Sequence, residues 1–172
     1  SSFTNDFGSV LAITGASASL QVDGSFTNNG TVNASGLMTV NGSFANNVTL
    51  NVATGTVLTI NASAQLNNGG TLENSGFLQN YGTFTNGNTL VNKGETNNFN
   101  TFNNNNLIDN RTGGSFFNRA GGTLGMGFGS RISNAGSFTN QASINSFGTI
   151  ENNGTYTNSG TILSFGGSLI DN

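Results

Sequence analysis

The chain has 172 residues and a formal net charge of −3; only 6% of its residues are charged, 26 are Gly, and it contains no Pro, Cys or His. The lack of Cys and His excludes disulfide frameworks, imidazole-based nucleophile triads and most transition-metal sites. Four basic residues are too few for a face that binds nucleic acid, and no apolar run is long enough for membrane insertion. With 34% hydrophobic residues the composition is close to that of disordered proteins, so only a regular pattern can indicate a packed fold.

The N-terminal stretch predicts an extended unit followed by a long coil. Phe3-Thr4-Asn5 places an Asn two residues after an apolar residue, an arrangement that recurs along the chain. The segment 8–18 (GSVLAITGASA) closely resembles the segment 55–64 (GTVLTINASA). Both segments therefore predict enlarged coils, near 8–20 and 51–65.

From residue 20 onward an apolar residue stands at every sixth position, in three runs. These positions are Leu20, Phe26, Val32, Met38, Phe44 and Leu50; then Leu66, Leu72, Leu78, Phe84, Leu90, Thr96, Phe102 and Ile108; and finally Ile132, Phe138, Ile144, Ile150, Tyr156 and Ile162. Only Thr96 is not apolar. A period of six is neither a multiple of 3.6 nor a heptad, whereas short strands separated by corners fit it. The pattern predicts an all-β fold without helices.

Each position of the middle run is followed two residues later by an Asn. These residues are Asn68, Asn74, Asn80, Asn86, Asn92, Asn98, Asn104 and Asn110. Side chains two apart on a strand point to the same side, so these Asn residues are predicted to lie inside. A buried Asn must satisfy both its carbonyl and its amide, and stacked Asn residues can do this for one another. The alternative, exposed Asn residues in turns, stays open.

Aromatic residues separated by eighteen positions set the size of a coil. The pairs are Phe26 with Phe44, Phe84 with Phe102, and Phe138 with Tyr156, and we expect all six to form one structural aromatic stack. Three hexads then make one coil, and the chain forms about nine. The prediction is a single-stranded parallel β-helix (β-solenoid) with one domain over 1–172 and three stacked walls.

The three predicted walls are defined by counting in steps of eighteen. The first holds Phe26, Phe44, Leu66, Phe84, Phe102, Phe138 and Tyr156; the second holds Val32, Leu50, Leu72, Leu90, Ile108, Ile144 and Ile162; the third holds Met38, Leu78, Thr96, Ile132 and Ile150. The Gly-rich segment 111–131 is irregular. Ile108 and Ile132 are nevertheless 24 residues apart, so this interval predicts four hexads.

The units Gly70-Thr71-Leu72-Glu73-Asn74-Ser75-Gly76 and 148–154 (GTIENNG) resemble the repeats of filamentous-haemagglutinin-like and autotransporter-like bacterial surface proteins. The resemblance covers nearly the whole chain. It implies a right-handed parallel β-helix that acts on the cell surface as a fibre, adhesin or stalk. The hexad here is shorter and more regular than the coils of that family. Left-handed hexapeptide helices share the period of six, but their residue order differs.

The residues offer little chemistry for catalysis. Glu73 and Asp109 occupy equivalent outward positions two coils apart, with Val91 between them, so about 10 Å should separate the two carboxylates. That is at the upper limit for an inverting pair, and we expect neither an enzyme nor a metal or cofactor site. Lys93 and Arg111 are predicted to stack near Glu95 and Asp109 as a modest surface charge cluster.

The repeat continues to both ends of the sequence, at Phe3 and Asn5 and again at Ile170 and Asn172. A solenoid end without a polar cap is a template for another chain. The sequence therefore predicts an extracellular structural protein, either a subunit of a self-assembling filament, whose partner is itself, or the shaft of a cell-surface adhesin that joins flanking repeats.

An alternative function is a module that binds surface glycans or ice through one outer wall. The residues that follow the first wall are Thr27, Ala45, Asn67, Thr85, Asn103, Thr139 and Thr157. Regularly spaced hydroxyls on a flat face would suit such a surface, and four of these seven residues are Thr.

Overall fold

The computed structural model describes residues 1–15 and 17–171, and it contains three parallel β-sheets that wrap around one core. The described residues form 26 short strands and no helix, and so contain nothing that could span a membrane as a helix. Strands three apart along the chain pair with each other, so each turn contributes one strand to each sheet. The predicted β-solenoid is confirmed, with eight full turns and part of a ninth in the described residues.

Among the described residues, sheets A and B contain nine strands each and sheet C contains eight. Sheet A contains β1 (Ser2–Asn5), β4 (Ser25–Asn28), β7 (Ser43–Asn46), β10 (Gln65–Asn68), β13 (Thr83–Asn86), β16 (Thr101–Asn104), β19 (Thr123–Met126), β22 (Ser143–Ser146) and β25 (Thr161–Ser164). Sheet B contains β2 (Val10–Ile13), β5 (Thr31–Ala34), β8 (Thr49–Val52), β11 (Thr71–Asn74), β14 (Thr89–Asn92), β17 (Leu107–Asn110), β20 (Arg131–Asn134), β23 (Thr149–Asn152) and β26 (Leu169–Asp171). Sheet C contains β3 (Ser19–Val22), β6 (Leu37–Val40), β9 (Val57–Ile60), β12 (Phe77–Asn80), β15 (Glu95–Asn98), β18 (Ser115–Asn118), β21 (Ser137–Asn140) and β24 (Thr155–Asn158).

The strands are four residues long because the second and fourth residues alone face the core. In β13, Phe84 and Asn86 are buried, whereas Thr83 and Thr85 lie on the outer face. This alternation repeats from β4 to β22, except that Val91 in β14 and Asn97 in β15 are buried at the third position as well, and it follows from the pleat of a strand. The apolar second residues from Phe26 to Ile150 belong to one continuous hydrophobic core, together with apolar fourth residues such as Val52 and Ile60.

Gly precedes many strands because successive coils approach closely at the corners. A two-residue corner joins β14 to β15, and a Cβ on its Gly94 would overlap the carbonyl oxygen of Gly76 one coil earlier. The strand that follows begins with a hydrogen bond from Glu95 N–H to that same oxygen, at 2.8 Å. Gly at this place lets the corner backbones stack at strand spacing.

Longer coils arise from corners of four residues instead of two. In seven of them the fourth N–H donates to the first carbonyl, and the third residue has a positive φ, as type II turns require. These corners are 6–9, 53–56, 61–64, 111–114, 119–122, 127–130 and 165–168. Five of them lie within the predicted segments 51–65 and 111–131, and corner 6–9 overlaps the predicted segment 8–20, whereas corner 165–168 was not predicted.

The prediction of four hexads between Ile108 and Ile132 is wrong. Ile108 pairs directly with Ile132, so the 24 residues form one coil with three four-residue corners. Phe116 and Leu124 supply its two other inward positions, at intervals of eight. Four hexads and three octads have the same length, so the count of residues alone could not distinguish them.

This miscount changed the predicted walls after Ile108. Sheet C, not the wall of Phe102, contains Phe138 and Tyr156. Sheet A contains Ile144 and Ile162, and sheet B contains Ile132 and Ile150. Every wall assignment up to Ile108 agrees with the observed registers.

Ser63 is the one residue other than Gly with a positive φ, 67°, among the described residues. A side chain at such an angle costs about 1 kcal/mol, so Ser63→Gly is expected to raise the free energy of unfolding by roughly that amount. Gly113→Ala, at the same place in another corner with φ 87°, is expected to lower it similarly. Urea denaturation of the two variants checks the pair. Equal effects of the same sign would contradict this assignment of strain.

Candidate functional site

The buried Asn residues form three internal ladders, one beside each sheet. Ladder A comprises Asn5, Asn28, Asn46, Asn68, Asn86 and Asn104; ladder B comprises Asn74, Asn92, Asn110, Asn134 and Asn152; ladder C comprises Asn80, Asn98, Asn118, Asn140 and Asn158. The Nδ2 to Oδ1 distances between neighbours are 2.6–2.9 Å. The eight Asn residues predicted to be internal all belong to these ladders, which confirms the ladder interpretation over exposed turns.

Each ladder has a direction. Asn68 Nδ2 donates one hydrogen bond to Asn86 Oδ1 (2.8 Å) and another to the carbonyl of Thr89 (2.9 Å), both in the next coil. The carbonyl of Asn68 in turn accepts from Asn46 Nδ2 (2.7 Å). An interior Asn therefore satisfies both hydrogens of its amide and its own carbonyl, which is what burial of such a side chain demands.

The direction leaves an unsatisfied acceptor where a ladder begins. Asn74 and Asn80 are the first members of ladders B and C, and their Oδ1 atoms are buried without a hydrogen-bond partner. Val52 and Ile60 occupy the same positions one coil earlier and have no donor to offer. The sequence contains the cause, because the fourth residues of the first three strands in sheets B and C are apolar. The sequence analysis nevertheless did not predict the unpaired carbonyls.

A hydrogen-bond donor at residue 52, next to the unpaired Asn74 Oδ1, is expected to offset the cost of burying a hydroxyl group there. Val52→Thr keeps the shape of the side chain and places an O–H beside Asn74 Oδ1, whereas Val40→Thr places one between Val22 and Ile60. We expect Val40→Thr to cost about 1–2 kcal/mol more than Val52→Thr. Chemical denaturation of both variants measures the difference, and equal costs would contradict it.

Thr96, the one hexad position that is not apolar, is fully buried in sheet C. Its hydroxyl donates to Asn92 Oδ1 (3.0 Å) and accepts from Asn74 Nδ2 (3.3 Å). The polar side chain is thus part of ladder B, which explains why the core tolerates it.

The predicted aromatic residues are divided between sheets A and C, and Phe116, which was not predicted, connects the two groups. Phe26 stacks on Phe44 at 4.8 Å between ring centroids, and on the far side of Leu66 Phe84 contacts Phe102 at 4.5 Å. Phe138 stacks on Tyr156 at 5.3 Å in sheet C. Phe116 contacts Phe102 and Phe138, each at 5.4 Å, and so joins the two sheets. The interval of eight in the longest coil was the signal for Phe116.

The four basic residues all lie near acids, which corrects the predicted charge cluster. Lys93 pairs with Glu73 (2.6 Å) and Arg111 with Asp109 (2.8 Å), while Glu95 lies 3.9 Å from Arg119 and not beside Lys93. The fourth pair is Arg131 with Glu151 at 3.4 Å. Asp109 accepts a hydrogen bond from Arg111 and so raises the pKa of that guanidinium. Such exposed pairs stabilise a protein little.

Glu73 and Asp109 lie on either side of Val91 on the outer face of sheet B, as the sequence predicts. Each acid has its own basic partner. In the described part of the chain, no three Asp or Glu side chains come together as a group that could hold a metal ion. Asp23 is a separate acid, whose pKa is lowered by hydrogen bonds from Asn41 and then Gln21.

The outer face of sheet A differs from the predicted hydroxyl wall. Its third-position residues are Thr4, Thr27, Ala45, Asn67, Thr85, Asn103, Gly125, Asn145 and Leu163. Thr139 and Thr157 belong to sheet C instead. Only three of these nine third-position residues are therefore Thr, so the column of outward residues named in the sequence analysis is not a continuous array of hydroxyls.

At each end of the described chain, three strands have a neighbour on one side only. These are β1, β2 and β3 at one end and β24, β25 and β26 at the other. Phe3 is stacked on Phe26 at 5.1 Å, but 54% of its surface is exposed beside an opening of about 150 Å³. Asn5 is buried and Ile170 is half-buried. Asn172, also predicted to be an assembly residue, lies outside the described residues.

No protein-family model, curated protein or solved structure matches the chain.

Proposed function

We propose that this chain is an extracellular structural rod, a subunit that associates end to end into a filament. One observation carries the proposal: among the described residues, the last strand of each sheet at either end has a neighbour on one side only, so three parallel edges lie side by side. Unpaired strand edges are templates for another chain. A second copy of the chain would extend all three sheets at once.

The side chains at the two ends are compatible with such stacking. The inward residues of one end are Phe3, Leu11 and Leu20, and those of the other are Tyr156, Ile162 and Ile170. All six are apolar or aromatic and only partly covered in the single chain. Contact between the ends would bury them in the manner of the interior coils.

The ladders make the rod suited to a mechanical role. Every interior coil is joined to the next by backbone hydrogen bonds in three sheets and by Asn side chains inside. Such continuous ladders give laddered β-structures their stiffness and persistence. The same rod as the shaft of a surface adhesin, continued by adjoining repeats, is the second form of this function and is favoured by the resemblance of its repeats.

Negative-stain electron microscopy of the pure protein at increasing concentration tests the filament. We expect rods one solenoid wide and longer than a single molecule. Phe3→Lys places a charge at one end and is expected to leave single particles. Phe77→Lys is the matched control, because Phe77 is 42% exposed on the side of sheet C, away from both ends. Single particles of the unmodified chain at the highest concentration would contradict the proposal.

A further inference from the structure

Three aromatic residues project from successive corners that follow sheet A. Phe128 belongs to the corner after β19, Phe147 to the corner after β22 and Phe165 to the corner after β25. Phe128 is 87% exposed and Phe147 is 46% exposed. The rings of Phe147 and Phe165 stack with centroids 4.7 Å apart and planes within 16° of parallel. We call these three residues the aromatic ridge.

A groove of about 430 Å³ lies on the sheet A side of the ridge. Gly125 and Gly127 form its floor because they have no side chains to fill the outer face. Asn103, Asn145 and Phe147 are among the residues at its walls, together with Thr85 and Asn105. We call this depression the amide groove.

Among the described residues, no hydrogen bond involves the side-chain amides of Asn103, Asn105 and Asn145. Outward Asn residues elsewhere pair between coils, as Asn47 does with Asn29 at 2.8 Å. The groove therefore presents amide donors and acceptors that are not used by the fold.

A second depression, of about 250 Å³, lies on the other side of the ridge. Its lining includes Thr149 and the ion pair of Arg131 with Glu151. The pair has no net charge, and the amide groove contains no charged residue at all. A ligand that covers both sides of the ridge would thus meet a neutral surface.

We propose that the aromatic ridge and the amide groove bind a neutral polysaccharide. The flat face of a pyranose ring carries C–H groups that pack against an aromatic ring, and each sugar hydroxyl both donates and accepts hydrogen bonds, as an amide side chain does. Concave sites with apolar contacts and a few placed polar groups are typical of small-ligand binding. The proposal does not require end-to-end assembly, since Phe128 and Phe147 lie before the end strands, although Phe165 belongs to the corner between the end strands β25 and β26.

A second copy of the chain is a less suitable occupant of this surface. The fully buried centre of a protein interface is richer in apolar groups than its surroundings. Here Phe147 lines both depressions, and polar residues line them beside it. Hydroxyl groups of a ligand would form hydrogen bonds with the polar residues of those depressions, which an apolar patch of a second chain could not do.

Isothermal titration calorimetry with cellohexaose and chitohexaose tests the proposal, with a heparin-derived hexasaccharide as the charged comparison. We expect one of the two neutral oligosaccharides to bind, and the charged one not to. Phe147→Ala is expected to weaken that binding at least about tenfold. Phe77→Ala, which removes an aromatic ring of similar exposure on sheet C, is expected to leave it unchanged.

A second variant tests the groove without removing an aromatic ring. Gly125→Asn would place a side chain in the groove, and its Cβ would lie 3.0 Å from Asn103 Oδ1, a flexible group that can move aside. We expect a folded protein with an unchanged circular-dichroism spectrum and binding lowered at least about tenfold.

Three outcomes would overturn the proposal. They are no heat of binding with either neutral oligosaccharide at millimolar concentration, equal losses in Phe147→Ala and Phe77→Ala, and self-association that Phe128→Ala abolishes. The last would assign the ridge to a second copy of the chain.

Discussion

Asn98→Val is expected to lower the free energy of unfolding by about 3–5 kcal/mol, because it interrupts ladder C inside the core. Asn98 accepts from Asn80 Nδ2 and donates to Asn118 Oδ1, each at 2.8 Å. It also donates to the carbonyls of Asn100 and Thr123. The substitution leaves several of these buried groups unpaired, at about 1–3 kcal/mol for each.

Asn103→Val is the matched control for this ladder variant. Asn103 lies five residues further along the chain and points outward, and its side chain forms no hydrogen bond with any described residue. Its substitution is expected to change the free energy of unfolding by less than about 0.5 kcal/mol. Urea denaturation followed by circular dichroism measures both variants. If Asn98→Val cost no more than Asn103→Val, the ladders would not be a source of stability.

Phe102→Ala is expected to lower the free energy of unfolding by about 3–5 kcal/mol, as large-to-small substitutions of buried aromatic residues do. Phe102 is completely buried, and its ring contacts Phe84 in sheet A and Phe116 in sheet C. A cavity at this place separates the aromatic contacts of the two sheets. Since each coil contacts only its neighbours, the loss should also broaden the unfolding transition.

Phe77→Ala serves as the control for Phe102→Ala, because Phe77 lies on the outer face of sheet C. We expect a loss below about 1 kcal/mol for this exposed ring. Thermal and urea denaturation of the two variants give the comparison. Similar losses would contradict the view that the inward aromatic residues dominate the core.

The sequence predicted the fold well because the repeat itself dictates it. A residue such as Phe84 and the Asn two positions later must lie on one side of a strand, and a buried amide needs hydrogen-bond partners, which a stacked Asn can supply. The eighteen-residue interval then places three strands in each turn. The pattern therefore predicted a β-solenoid, and the structure decided for internal Asn ladders over exposed turn residues.

The longest coil could not be resolved by counting, because its length fits two periods. Phe116 and Leu124 stand at intervals of eight between Ile108 and Ile132, and recognising them required the corner lengths. Three Gly residues with positive φ, among them Gly113 and Gly121, make those corners possible. Without that information the later aromatic residues were assigned to the wrong wall.

The candidate sites depend on relations between coils that a linear pattern does not contain. The unpaired carbonyl of Asn74 arises only because Val52 lies beneath it. The aromatic ridge arises because corners of different lengths bring Phe128 and Phe147 to the same edge. The predicted charge cluster of Lys93 and Arg111 near Glu95 and Asp109 was only partly right for the same reason, since Lys93 pairs with Glu73 and Glu95 lies near Arg119.

The most direct test of the rod is its mass per unit length, measured by scanning transmission electron microscopy of assembled filaments. Nine rungs at about 4.8 Å give a length of about 43 Å for one chain of 17.6 kDa. Stacked solenoids therefore predict about 0.4 kDa per Å. Unstained single molecules of one chain length, or filaments with one chain per rung at about 3.7 kDa per Å, would contradict the account.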